Sequence, residues 1–173
     1  MHLQNNYNSN NEVLANDSAR WQKNKASNLS NNIQEKKPAF DNGFALEYES
    51  RLTFEKTIHA LSGLLNSDGW KISHIHDLQQ ALKNNGQDVL PVHVIELCNP
   101  KYSGKLLEDD NTRFMSVMMP CRIAVYEKRN GTTFISLLNA ENLIKMLGGS
   151  IRNEIRKVQD EVIDKINPLF TND

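Results

Sequence analysis

The sequence predicts an α+β fold: a single antiparallel sheet with helices on one face, followed by a C-terminal amphipathic helix. Three observations predict it. Runs that alternate apolar and polar residues are interleaved with runs of helical spacing, so strands and helices are mixed along the chain. The stretch CRIAVYEKRNGTTFISLL sets Asn130-Gly131 between two alternating runs, the strongest short-range hairpin signal, which requires antiparallel pairing. The final long segment carries Ile151, Ile155, Val158, Val162 and Ile166 on one helical stripe.

The elements follow in chain order. FALEYESR alternates, with Phe44, Leu46 and Tyr48 on one face of an expected strand. In TFEKTIHALSGLLNSDG the residues Phe54, Ile58, Leu61 and Leu65 form a helical stripe, Thr53 is the expected cap, Asp68-Gly69 ends the helix, and His59 is expected to be partly buried. WKISHIH is the second strand; if regular, it places Trp70, Ile72, His74 and His76 on one face. DLQQALKNNG has capping-box spacing between Asp77 and Gln80 and closes on Gly86. LPVHVIELC is apolar on both faces, as expected of a central strand: Val92, Val94, Glu96 and Cys98 on one, His93, Ile95 and Leu97 on the other. Asn99 is a good N-cap and Pro100 a good first helical residue, so a helix starts there, with Leu106 one turn after Tyr102. EDDNTR is a polar loop. After the hairpin, Leu143, Met146 and Leu147 predict a short helix stopped by Gly148-Gly149, and the last helix is capped by Ser150 and ended near Pro168.

The 173 residues suffice for one domain with extra segments. Mean hydropathy is −0.57, polar for a single compact unit, and the polarity is local. Residues 1–40 contain ten asparagines and only scattered apolar side chains, too few to offset the entropy of ordering them. The expected organisation is therefore a disordered Asn-rich tail and linker over 1–43, an α+β domain over 44–149 and a C-terminal helix over 150–173. A net charge of −1 leaves no electrostatic footprint for nucleic acid or an anionic membrane surface. No run approaches the ~18 apolar residues of a membrane span. Two cysteines are too few for a secreted disulfide framework, and the N-terminus has no basic start followed by an apolar core. The expected location is the cytoplasm, with both thiols reduced.

The segment HVIELCNPKYSGKLLEDDNTRFMSVMMPCRIAVYEKRNGTTFISLL resembles the bacterial and archaeal domain of unknown function 302 family. The resemblance is carried by Cys98-Asn99-Pro100, Met119-Pro120-Cys121, Val125-Tyr126-Glu127 and Gly131, and TFEKTIHALSGLLNSDGWKI is similar to the family's opening helix and second strand. It spans residues 44–140 and leaves out the tail and the last helix. It implies a small TBP-like antiparallel domain of β-α-β-β-β arrangement, with a homodimer as its expected assembly. It implies no activity. Ser103-Gly104 departs from the alanines usual in the family, and Gly104 weakens its helix by roughly 1 kcal/mol against Ala, which predicts a short helix. Many relatives lack the first cysteine, so a thiol role belongs to a subset.

The candidate site is Cys98, Asn99, Pro120 and Cys121. A thiol just before a helix N-terminus lies near its partial positive charge and unpaired N–H groups. If the strands carrying Cys98 and Cys121 are antiparallel neighbours, both thiols converge at one sheet end. Three functions are then open. One is a binding site for a small ligand or a soft metal such as Cu(I) or zinc on Cys98 and Cys121, with the Met115, Met118 and Met119 cluster or a histidine helping. Another is a redox pair, with Cys98 attacking and Cys121 resolving. The third is nucleophilic catalysis by Cys98 with His93 or His74 as base. Against these stand two inert core cysteines, and a different class of function: an interaction protein that oligomerises through its sheet or C-terminal helix. The sequence has no phosphate-binding glycine loop, no GxSxG elbow, no HExxH and no CxxC.

Overall fold

The structure, a computed structural model, describes residues 37–145 and 149–171. The tail up to residue 36, and Met146, Leu147 and Gly148 of the expected short helix, lie outside the described residues. Six strands form one sheet: β1 (Phe40–Asp41), β2 (Ala45–Glu49), β3 (Lys71–Asp77), β4 (Val92–Cys98), β5 (Cys121–Glu127) and β6 (Thr133–Leu138). Their order is β1-β2-β6-β5-β4-β3 and every neighbouring pair is antiparallel. The helices are α1 (Phe54–Leu65), α2 (Leu78–Lys83), α3 (Pro100–Glu108), α4 (Ala140–Lys145) and α5 (Gly149–Ile166), with 3-10 turns at Arg113–Met118 and Asn167–Leu169.

The core lies between one face of the sheet and helices α1 and α5. Leu46, Tyr48, Ile95, Leu97, Ile123, Val125, Ile135 and Leu137 point into it, as do Leu61 and Leu65 of α1 and Val162 and Ile166 of α5. Each fully buried aliphatic side chain contributes about 1.5–3 kcal/mol through the hydrophobic effect. The expected hairpin forms: Glu127 pairs with Thr133, and Gly131 takes the left-handed φ of 80° that the turn requires. β4 is central, between β5 and β3, with Ile95 and Leu97 buried in the core and Val92, Val94, Glu96 and Cys98 half-buried on the other face.

The C-terminal helix is part of this core. Its stripe of Val158, Val162 and Ile166 packs against the sheet, and the chain after it is tied to β2: Phe170 stacks on Tyr48 with ring centroids 4.0 Å apart, and Thr171 N–H donates to the Glu49 carbonyl at 3.0 Å. The described residues fall within a single compact unit.

Several local expectations change. The stretch before Phe44 is more than a linker, because Phe40 and Asp41 pair with Glu47 and Leu46. Asn42 stabilises the intervening turn by accepting from the N–H groups of Phe44 and Ala45. Phe44 sits in that turn, outside the strand, and is 74% exposed. In β3 the pairing skips Ser73, since Ile72 opposes Leu97 and His74 opposes Glu96. That bulge reverses the alternation, so Ile72 packs against the core while His74 and His76 occupy the opposite face. His59 is exposed on the outer side of α1. Thr53 occupies the N-cap position of α1 without a side-chain cap bond. Helix α5 begins at Gly149, one residue ahead of Ser150. Gly104 does not cut α3 short; the helix runs to Glu108.

Candidate functional site

The expected N-cap is present. Asn99 accepts from the Lys101 N–H at 3.0 Å, and Pro100 opens α3. The same side chain donates to the Asp68 carbonyl at 3.3 Å. It lies directly over Gly69, where an added Cβ would stand 3.3 Å from Asn99 Oδ1. Asp68 and Gly69 both have positive φ, at 54° and 84°. Asn99 therefore joins the end of β4 to the turn before β3, and both ends of its amide are committed.

Beside it is a polar cluster that sequence reasoning did not find. The Glu161 carboxylate on α5 accepts from Trp70 Nε1 at 2.6 Å and from the Tyr102 hydroxyl. Burial pushes Glu161 up, but the hydrogen bonds from Tyr102 and Trp70, with the Lys101 and Lys165 charges nearby, hold it below the ordinary carboxylate value. The carboxylate raises the Tyr102 phenol to about 12 through their hydrogen bond, with burial adding to it. Lys165 donates to Ser67 at 3.1 Å and to Asp68. These contacts fasten α5 to the β3–β4 side of the sheet.

Antiparallel pairing brings four strand ends to one edge: β4 and β6 end there, β5 and β2 begin there. Around this edge lies a cavity of about 500 Å3. Its inner wall is Leu97, Ile123, Leu137 and Val162; α3 contributes Tyr102 and Leu106, and the first 3-10 turn contributes Met115, Val117 and Met118. Helix α5 adds Ile155, Val158 and Gln159. Cys98, Asn99, Pro120 and Cys121, the four residues singled out in the sequence, all line it. The Met119–Pro120 peptide is cis.

Leu97 pairs directly with Cys121, so Cys98 is one step further along β4. Strand alternation turns the two thiols toward opposite faces of the sheet. Both reach the cavity because it wraps around the sheet end. Both are free, and Cys98 Sγ donates to Ser103 Oγ at 3.4 Å. Burial, with a smaller contribution from Cys98, pushes the Cys121 thiol up to about 11, so it is neutral at physiological pH.

The histidines do not join the cysteines. His93 is five residues from Cys98 along β4, about 17 Å at the strand rise, and its Nε2 lies 3.5 Å from Asp77. His74 and His76 sit on the sheet face opposite the core with their rings 4.3 Å apart, and His76 Nε2 is 3.3 Å from Glu96. Neither histidine lines the cavity. Among the described residues no group of three or more His, Cys, Asp or Glu side chains is arranged to hold a metal ion, and no helix is long and apolar enough to cross a membrane.

Fold and site together define a class: a small α+β domain with one antiparallel sheet, helices packed on one face, and an apolar cavity at the sheet edge where β4, β5 and β6 meet. The family profile of the domain of unknown function DUF302 matches residues 46–172, and the chain belongs to that family. The match extends through α5, beyond the limit near residue 140 that the motifs suggested. The crystal structure of an uncharacterized conserved DUF302 protein from Bacillus stearothermophilus is similar in fold, with a TM-score of 0.66 at 20% identity, over 73% of this chain and 98% of that one. None of the curated proteins matches the chain.

Proposed function

We propose that this domain binds a small, largely apolar ligand in the cavity at the sheet edge, with Cys98, Asn99, Pro120 and Cys121 in its wall. The carrying observation is the cavity itself, about 500 Å3 and lined mostly by aliphatic, aromatic and methionine side chains. Ligand sites are concave, mostly apolar and roughly 300–1,000 Å3 in volume, and an unfilled void in a core forfeits packing energy. Met115, Met118 and Met119, all in or next to the first 3-10 turn, favour a site that adapts to its occupant, because the thioether side chain is flexible and polarizable.

In this reading the thiols are wall groups. A neutral Cys121 is a poor metal ligand and a poor resolving thiol, since both roles use the thiolate. The opposed directions of the two side chains weigh against a reversible disulfide. Among the described residues no histidine lines the cavity beside Cys98, which weighs against nucleophilic catalysis. Two unpaired thiols fit a reducing compartment, so we place the function in the cytoplasm.

The test uses N-phenyl-1-naphthylamine, a dye whose fluorescence rises in apolar surroundings. The wild-type chain is expected to bind it saturably at micromolar concentration. Val158→Trp and Leu143→Trp, which push an indole into the space, are each expected to abolish the signal while keeping a cooperative melting transition. Absence of saturable binding to the wild type, or unchanged binding in a folded tryptophan variant, overturns the proposal.

A further inference from the structure

Resting on the apolar-cavity reading, we propose that the ligand is a single-chain amphiphile with an anionic head, its chain in the cavity and its head on Arg122. The wall is uneven in a way that specifies this. Its deep part, at Leu97, Ile123, Leu137 and Val162, is buried and apolar. Its outer part is exposed but still apolar, with Phe44 at 74% and Val117 at 79% exposure, beside Met118. Exposed apolar side chains around a cavity entrance suit a chain that slides past them. A compact polar metabolite gains nothing from such a rim.

Among the described residues lining the cavity, Arg122 is the one with a formal charge, and no carboxylate lines it. Arg122 follows Cys121 at the start of β5, so it lies at the rim while its neighbour faces the interior. Its Nε donates to Glu96 Oε1 at 3.3 Å, the carboxylate that also faces His76 Nε2. Among the described residues the two Nη groups of Arg122 make no hydrogen bond. Glu96 thus acts as a positioning residue: it fixes one edge of the guanidinium and leaves the other turned outward. A planar guanidinium matches the paired oxygens of a carboxylate or phosphate better than any point charge. An apolar chain also brings its own head to the rim, because burying an unpaired charge beside Leu97 and Ile123 is prohibitive.

The experiment displaces bound N-phenyl-1-naphthylamine at pH 8 with decanoate, 1-decanol and decyltrimethylammonium, which share a chain and differ in head charge. Decanoate is expected to compete at a concentration at least tenfold below that of the other two. With each competitor's displacement referred to the variant's own dye affinity, Arg122→Met is expected to bring decanoate to parity with decanol; Arg122→Lys is expected to retain part of the preference. Wild-type displacement in which decanoate is no better than decanol overturns the anionic-head inference and leaves the cavity reading standing, as does a preference that survives Arg122→Met. Failure of the wild type to bind the dye overturns the cavity reading itself.

Discussion

The two ends of the sheet are built differently. At the end where β2 and β5 finish and β4 and β6 begin, the space is filled. Phe170 stacks on Tyr48, Phe54 meets His93 edge-on at 5.0 Å, Lys128 lies 3.6 Å over the Phe134 ring, and buried Ser50 and Thr57 share a 2.7 Å hydrogen bond. At the opposite end, medium-sized side chains surround about 500 Å3 without filling it. The filled end is closed by the C-terminal residues returning to β2. The other end is bounded by α3, α5 and the first 3-10 turn with its methionines. One end of this fold is closed by aromatic packing, and the other combines the polar fastening of α5 with room for a ligand.

The sharpest way to break that contrast is to truncate the same residue type at each end. Ile135→Ala, in the fully buried core, is expected to cost about 3–4 kcal/mol, because it adds a void to a close-packed region. Ile155→Ala, on the cavity wall, is expected to cost only about 1–2 kcal/mol, because part of its surface already faces empty space and Ala is the better helix former. Urea unfolding measures both; equal losses mean that the cavity end is packed as tightly as the other.

Thiol chemistry gives the next effect. With Cys121 raised to about 11, iodoacetamide at pH 8 is expected to label it about two orders of magnitude more slowly than an ordinary cysteine. Diamide is expected to leave Cys98 and Cys121 unlinked. Peptide mass mapping reads out both, and a rapid Cys98–Cys121 crosslink means that the strand ends move enough to revive a redox role.

The fastening of α5 comes next. Glu161→Gln is expected to cost about 1–2 kcal/mol at neutral pH, since it weakens two hydrogen bonds to a charged acceptor. The folded-state pKa of Glu161 lies below its unfolded value. Its stabilisation is therefore present above the unfolded value near 4.3 and is lost as pH falls through the folded one. Wild-type and Glu161→Gln melting curves are expected to converge on acidification; a constant gap removes the ionised carboxylate from the account. The smallest effect is a gain. Gly104 lies inside α3 with open space where a Cβ would go, so Gly104→Ala is expected to stabilise by about 0.5–1 kcal/mol in thermal melts.

Legibility from sequence followed the range of the interaction. Asp77 accepting from the Gln80 N–H, Asn99 and Pro100 opening α3, and Gly131 in the hairpin are short-range features, set by neighbours a few positions away. The errors arose where one residue changed a longer pattern. Ser73 bulges out of β3 and reverses the faces of its histidines, and two residues ahead of Phe44 turn a supposed linker into strand β1. The four candidate site residues were legible as proline-flanked junctions. The remainder of the wall was not: Val158 and Val162 read as an ordinary core stripe, and no motif or spacing marked Arg122.

Residue pattern alone specifies most of the strands and helices, their caps and turns, and that Cys98 ends one strand while Cys121 opens the next. Those properties depend on caps, alternation and turn residues within a few positions of each other. The juxtaposition of the ends of β4, β5 and β6, the opposed directions of the two thiols and the space left between sheet and helices come from pairing and packing among distant segments. A void has no residue of its own. It exists where the volumes of side chains far apart in sequence fail to sum to the space enclosed, and in this protein that shortfall lies at the edge where the chain placed its cysteines.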